Sequence, residues 1–246
     1  MLNDLTVVIA CKDRNKNLEY CLNSIAASKN PPKETIVVDF GSVEPLRTTL
    51  PAVRIIRTTN NTQMFHKSRA LNIGIKSVTT KYTCITDADQ TFQDNFFFEL
   101  NNKLDRDKKA FVMCQTYFLR NIPDYIVPNN FMLNYWLMLA VAKESGGKPH
   151  GEGCCNGVRT QWLMSVKGYD EQFIGFGAED SDVMFRAHRD NLNRTGLNSK
   201  TSMIHLPHDK TGSYYDIRRF DKNRTLFKQK NKSKTIVNSQ PSWGVL

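Results

Sequence analysis

Tyr82-Thr83-Cys84-Ile85-Thr86-Asp87-Ala88-Asp89 is the stretch whose reading decides the fold. Residues 82–86 are apolar or β-branched and read as a strand, which stops at Asp87. Such a run suits a strand buried on both faces, inside a sheet covered by helices. The residues before it repeat the pattern. Residues 5–10 form a short β-branched run, 35–39 a second and 53–57 a third, after Pro51. Between them, 15–27 carries Leu18, Cys21, Leu22 and Ile25 at helical spacing, and 68–77 carries Ala70, Leu71, Gly74 and Ile75. A further helix is expected over 95–104. Strands alternating with helices predict an α/β fold with a mostly parallel central sheet flanked by helices.

The second half is less regular. Strands are expected at 111–117, 154–158 and 202–205, and helices at 129–142, 161–166 and 178–189. The 129–142 helix is rich in Met and aromatic residues, and its apolar stripe reads as core. Acidic residues open the 178–189 helix, as its macrodipole favours. No composition break divides the 246 residues, so one domain is expected over 1–230, followed by a basic tail at 231–246.

Composition is that of a soluble globular protein, with 40% hydrophobic and 24% charged residues. No run approaches the roughly 20 apolar residues of a membrane span. Met1-Leu2-Asn3-Asp4 has no basic n-region, so the expected location is cytoplasmic. The six Cys include no C-x-x-C pair and read as buried free thiols rather than a disulfide framework. The net charge of +10 is concentrated after Lys210, at Arg218, Arg219, Lys222, Arg224, Lys228, Lys230, Lys232 and Lys234. A solvated helix followed by a loose tail is the expectation, with attraction to an anionic membrane surface as the alternative. Nucleic acid is not an expected partner, because no recognition motif accompanies the charge.

In sheets of this kind ligands bind beyond the carboxyl ends of the strands. Three polar clusters fall there: residues 11–14, 39–42 and 87–89. Asp87 and Asp89 are two apart, so in extended geometry they point the same way and can share Mg²⁺ or Mn²⁺. Asp39 offers a carboxylate to a base or ribose donor, in a turn with Gly41 and Ser42. Gly175-Phe176-Gly177-Ala178-Glu179-Asp180-Ser181-Asp182 sets three acids at a helix start. The aromatic ring between two glycines suits a sugar face, and a carboxylate there can take the proton of an attacking hydroxyl. An acidic first turn is equally what the macrodipole selects without any ligand. His205 ends the last strand and His208 follows it. Imidazoles can join carboxylates around Mn²⁺ if the fold brings them together.

Taken in order, these segments resemble the GT-A glycosyltransferases over roughly 5–230. The first half is similar to glycosyltransferase family 2. The second is similar to the galactosyltransferase C-terminal region of β-1,4-galactosyltransferases and bacterial chondroitin polymerases. The motifs are Val7–Arg14, Val37-Val38-Asp39-Phe40-Gly41-Ser42 for V-D-D-G-S, Lys67-Ser68-Arg69-Ala70-Leu71-Asn72-Ile73-Gly74 for A-R-N-x-G, and Asp87-Ala88-Asp89 for D-x-D. Phe176–Asp182 stands for W-G-G-E-D-D-D and Ile204-His205-Leu206-Pro207-His208 for H-L-x-H.

The resemblance implies a GT-A fold with a Rossmann-like sheet, a nucleotide-binding half at 1–110 and an acceptor-binding half at 111–230. It implies nucleotide-sugar contacts from Ala10, Lys12, Arg14, Asp39, Ser42, Arg69, Asn72, Asp87 and Ala88. The metal, Mn²⁺ or Mg²⁺, falls to Asp89 and to His205 or His208, with Asp87 on the ribose or on the metal through water. Asp180 matches the catalytic base and Glu179 an acceptor or sugar contact. Asn156, Phe176 and Gly177 line the acceptor and sugar side. The chain departs from the pattern at Phe40 for the second Asp, at Phe176 for Trp, at Ala178 for Gly, and at Gly153-Cys154-Cys155-Asn156 for G-G. The expected activity is inverting transfer of a sugar from a nucleotide-diphosphate sugar, UDP before GDP, to a glycan or other hydroxyl acceptor. A nucleotidyltransferase that makes nucleotide sugars and a non-catalytic nucleotide-sugar binding module are the rival readings.

Overall fold

The structure is a computed structural model and describes residues 4–59, 64–126, 131–149, 153–175, 177–197, 199–208, 217–238 and 240–245. In chain order the first elements are β1 (Leu5–Cys11), α1 (Asn15–Ala26), β2 (Glu34–Asp39), β3 (Val53–Arg57), α2 (Lys67–Lys76) and β4 (Tyr82–Asp87). Next come β5 (Gln90–Phe92), α3 (Phe96–Arg106), β6 (Ala110–Met113), β7 (Tyr117–Phe118) and α4 (Phe131–Glu144). The last are β8 (Cys155–Arg159), α5 (Thr160–Ser165), α6 (Glu179–Arg189), β9 (Asn193–Gly196), β10 (Met203–His205) and α7 (Ile217–Ser233).

One seven-stranded sheet runs β3-β2-β1-β4-β8-β6-β9. Its first four strands are parallel, and β8 lies antiparallel to both β4 and β6. Alternation along β1 sends its side chains to two cores. Leu5, Val7, Ile9 and Cys11 pack with α1 and α3, through Leu18, Cys21, Leu22, Phe97 and Leu100. Val8 and Ala10 pack with α2, α5 and α6, through Ala70, Leu71, Leu163 and Val183. A third cluster under α4 joins Tyr135, Met138 and Leu139 to Ile204 and Leu206.

Register aligns the ends that matter. Cys11 pairs with Asp39 and Ala10 with Asp87, so the three polar clusters share one rim. The reversal at β8 sets Cys155 opposite Thr86, so the beginning of β8 meets that rim too. A second sheet, β5-β10-β7, pairs His205 with Gln90 and, through Leu206 N–H to the Asp89 carbonyl at 2.8 Å, brings the C-terminal strand beside Asp89.

Three expectations change. The strand expected at 111–117 is two: β6 ends at Met113, and Tyr117–Phe118 crosses to the second sheet. The stripe on α4 is only half core, since Leu133 and Trp136 are exposed while Tyr135, Met138 and Leu139 are buried. The segment after α7 is not loose. Arg186 and Arg189 donate to the carbonyls of Ile236 and Thr235, and Asn238 bonds to Val166, Lys167 and Gly168. Those groups end helices or turns and need partners, which an extended segment supplies. All six cysteines are free thiols, with the Cys84 and Cys155 sulfurs 3.5 Å apart. Among the described residues no helix is long and apolar enough to cross a membrane.

Candidate active site

β4 delivers Asp87 to the rim, and Ala88 and Asp89 then turn the chain into β5. The turn ends the strand alternation, so the two carboxylates part company. The Asp89 carboxylate lies 3.6 Å from His205 Nε2 and 3.3 Å from His208 Nε2. The three potential ligand atoms fall within 4.8 Å of one another. Phe118 stacks on the His205 ring at 4.8 Å and holds its plane. Burial pushes the Asp89 carboxyl above its usual range, against the pull of His205, with Asp87 adding to the rise. One carboxylate and two imidazoles suit Mn²⁺, which takes mixed oxygen and nitrogen sets, better than Mg²⁺, which asks for oxygen. Both histidines kept open by the sequence therefore reach the same spot.

Asp87 turns the other way. Its Oδ1 is 2.9 Å from Lys67 Nζ at the start of α2, and that ammonium also meets Asp180 Oδ2 at 2.9 Å and Glu179 Oε1 at 3.2 Å. Burial opposes the charge on Lys67, but Asp180, Asp87 and Glu179 together hold its pKa well above the usual value. Burial also lifts the Asp180 carboxyl well above its usual range; Lys67 opposes this, and Glu179 and Asp87 reinforce it. Both acids begin α6 after Ala178, whose backbone is left-handed at φ 72°. A non-glycine residue held there costs about 1–2 kcal/mol, which the surrounding packing must outweigh. The third acid does something else. Asp182 is buried and binds Arg186 Nε at 2.7 Å inside the domain.

Three buried oxygens near this cluster accept no hydrogen bond from the described residues: Glu179 Oε2, Asp180 Oδ1 and Asn156 Oδ1. Asn156 reaches the cluster through Tyr169, to whose hydroxyl its Nδ2 donates at 3.0 Å. All three orphans are acceptors, so a ligand bearing hydroxyl groups would satisfy them. Gly153 closes against Asp180: a Cβ at residue 153 would stand 3.0 Å from both Asp180 Cβ and Oδ2. Gly177 (φ 101°) has no room either, because a Cβ there would meet the Phe220 ring of α7 at 2.5 Å. Phe176 lies outside the described residues.

At the expected nucleotide end several of the named residues also hydrogen-bond within the chain. Asp39 and Ser42 are fully buried. Asp39 accepts from Ser42 N–H, Leu46 N–H and Arg57, and Ser42 Oγ accepts from Asp13 N–H. Lys12 is buried and donates to the carbonyls of Phe40 and Gly41. These groups shape the 39–46 loop with their polar atoms turned to one another. Ala10 and Ala88 are buried at the rim, and the charge of Arg14, at the N-cap of α1, slightly opposes the rise that burial gives the Asp89 carboxyl. Asn72 is buried and bonds Tyr169 N–H, Tyr169 carbonyl and Glu171, so it anchors α2 to the 169–171 segment. Arg69 Nε donates to the Val245 carbonyl. Neither Asn72 nor Arg69 is brought to the carboxylate cluster.

Lys67 and Tyr169 were absent from the sequence-based site. Lys67 did leave a signal. A cation at the first position of a helix opposes the macrodipole, so it needs neighbouring acids to be tolerated. Tyr169 left none, since a tyrosine in a Gly-Tyr-Asp turn reads as ordinary core.

The mixed sheet with helices on both faces is the GT-A fold that the sequence led us to expect. Solved structures agree. The chain matches S. aureus TarS 1-349 with TM-score 0.58 at 16% identity, covering 82% of this chain and 60% of that one. It matches TarS 1-349 in complex with UDP-GlcNAc with TM-score 0.61 at 16% identity, covering 91% and 65%, and S. aureus TarS with TM-score 0.63 at 16% identity, covering 92% and 39%. The chain thus spans less than two thirds of each of these structures. No curated protein matches its sequence. Residues 139–209 match the family described as the N-terminal domain of galactosyltransferase, the stretch that carries Glu179, Asp180, His205 and His208. Residues 6–166, which take in the parallel run β3-β2-β1-β4 and the Asp87–Asp89 turn, match glycosyl transferase family 2, and the chain belongs to that family.

Proposed function

We propose that the protein is a metal-dependent, inverting glycosyltransferase that moves a sugar from a UDP-sugar to the hydroxyl of a glycan or another acceptor. The observation that carries this reading is the meeting, on one rim, of the Asp89–His205–His208 cluster and the carboxylates of Glu179 and Asp180. Family membership supports the reaction class, and UDP-GlcNAc in one of the similar structures supports a uridine donor.

Asp89, His205 and His208 would hold Mn²⁺ or Mg²⁺, which when bound neutralises the diphosphate leaving group as a Lewis acid. The chain's own residues supply the rest. Asp180 presents Oδ1 without a partner while Lys67 holds Oδ2. That free oxygen accepts the proton of the acceptor hydroxyl as it attacks the anomeric carbon. A base that delivers the acceptor directly, opposite the leaving group, inverts the anomeric centre. Glu179 Oε2 and Asn156 Oδ1 accept from neighbouring sugar hydroxyls and fix the acceptor's orientation. Asp87 stands beside Lys67, on the side where the donor ribose would lie.

The test is release of UDP from UDP-sugars with Mn²⁺ and a panel of hydroxyl acceptors. Asp180→Asn should keep UDP affinity and lose transfer by at least ~100-fold, the scale of a positioned base. Near-normal turnover refutes its role. Asp89→Ala should remove activity together with divalent-ion dependence, and activity that survives in chelator refutes the metal. Diphosphate released from a nucleoside triphosphate would instead identify a nucleotidyltransferase.

A further inference from the structure

Lys67 sits where the two halves of the chain touch. Asp87 belongs to the end of β4, on the donor side, while Glu179 and Asp180 open α6, on the acceptor side. The Lys67 side chain is only 13% exposed, and its Nζ lies within 3.2 Å of an oxygen from each of the three. An ammonium has three N–H donors, and three carboxylates stand within reach to take them. Its carrier helix has a second anchor besides the carboxylates, because Asn72, five residues on, is clamped to the Tyr169 backbone and to Glu171. The ammonium is therefore a fixed point around which the carboxylates are arranged. It touches one oxygen of Asp180 and one of Glu179, and among the described residues the second oxygen of each has no hydrogen-bond partner.

Resting on Asp180 as the base, we propose that Lys67 is a positioning residue that couples the donor side to the acceptor side. By holding Asp180 Oδ2 and Glu179 Oε1, it aims Asp180 Oδ1 and Glu179 Oε2 at the acceptor. By holding Asp87 Oδ1 as well, it ties that aim to the strand end that meets the donor. Without the cation, three carboxylates crowd one buried spot and repel one another, and the two at the start of α6 lose their common anchor. A displacement of about 1 Å of a reacting group is enough to cost on the order of 100-fold in rate. Lys67 itself exchanges no proton with the substrate.

The experiment compares Lys67→Met, which keeps the length and removes the charge, with Lys67→Arg, which keeps the charge and can donate to several carboxylates. Steady-state transfer gives kcat and the donor KM, UDP binding with Mn²⁺ is measured by calorimetry, and thermal unfolding checks folding. Lys67→Met is expected to lower kcat by about 100-fold while the UDP Kd changes by less than about 3-fold, and Lys67→Arg should recover at least about a third of the lost rate. A UDP Kd raised about tenfold with kcat preserved overturns the proposal, because Lys67 would then be a ligand of the diphosphate. Loss of folding in Lys67→Met with an equally poor, folded Lys67→Arg overturns it too, leaving only a structural ion pair. Wild-type turnover separates the layers. No transfer by the unaltered protein from any nucleotide sugar removes the proposed function and the coupling with it, whereas normal transfer by Lys67→Met removes the coupling alone.

Discussion

Asp180 and Asp182 lie in the same helical turn, yet replacing each should have opposite consequences. Asp182 and Arg186 are 2% and 1% exposed in their side chains and 2.7 Å apart. Arg186 also donates to the carbonyls of Val166, Gly168 and Ile236, and so ties α6 to the end of α5 and to the segment after α7. Asp182→Ala leaves a buried guanidinium without its bonded carboxylate, a change that costs about 3–5 kcal/mol. For a chain of this size each kcal/mol moves Tm by about 2–4 °C, so the melting point should fall by roughly 6–20 °C. Adding Arg186→Met removes the stranded charge but takes one donor from each of three carbonyls, of which Val166 and Gly168 still accept from Asn238, so the double variant should recover only part of the loss. Asp180→Ala, in contrast, relieves a site where three carboxylates share one ammonium, and its stability should change by about 1 kcal/mol or less. Thermal unfolding followed by circular dichroism, with UDP release measured on the same samples, reads both. Asp182→Ala melting within about 2 °C of the wild type, or Asp180→Ala losing as much stability as Asp182→Ala, would refute this division between a structural and a functional acid.

The raised pKa of Asp180, caused by burial and opposed by Lys67, makes a pH prediction. A base acts only when deprotonated, so transfer should rise with pH through a midpoint above the ordinary carboxylate value of 3.8, read from kcat/KM. A limb at or below that value contradicts the assignment. Gly177→Ala must fit a methyl 2.5 Å from the Phe220 ring at φ 101°, and should cost about 1–3 kcal/mol and loosen α7, as thermal melting and limited proteolysis of the 217–233 helix would report. His208→Ala and His205→Ala should each weaken Mn²⁺ binding at least ~10-fold in calorimetry, since even partners outside a metal's ligand sphere act on that scale. An unchanged affinity in either variant removes that histidine from the site.

The first half of the fold was legible because β1, β2 and β4 are buried on both faces, β3 follows Pro51 as a β-branched run, and the helices carry apolar residues at helical spacing. β3 has the expected bounds, and β1, β2, β4, α1 and α2 agree to within a residue or so at each end. β5 and β9 escaped because three or four residues are too few for any period to declare itself, and β9, Asn-Arg-Thr-Gly, is a polar edge strand. The candidate metal cluster was legible as chemistry but not as geometry. Alternation set Asp87 beside Asp89, while the turn at Ala88–Asp89 separated them. Of the residues expected to touch the nucleotide, Asp39, Lys12 and Asn72 hydrogen-bond to the protein's own backbone and neighbours. A motif records that a residue type is needed at a place; only coordinates say whether its atoms face outward or hold the wall.

Residue 153 has no functional group, yet it fixes how far the proposed base can retreat from the incoming alcohol. Because β8 runs against its neighbours, its leading edge abuts the acid, and even one methyl there would press on Asp180. Searches for important positions that score reactivity or charge would pass over this glycine. Substitution there is a way to alter the spacing around Asp180 without changing a single participating atom.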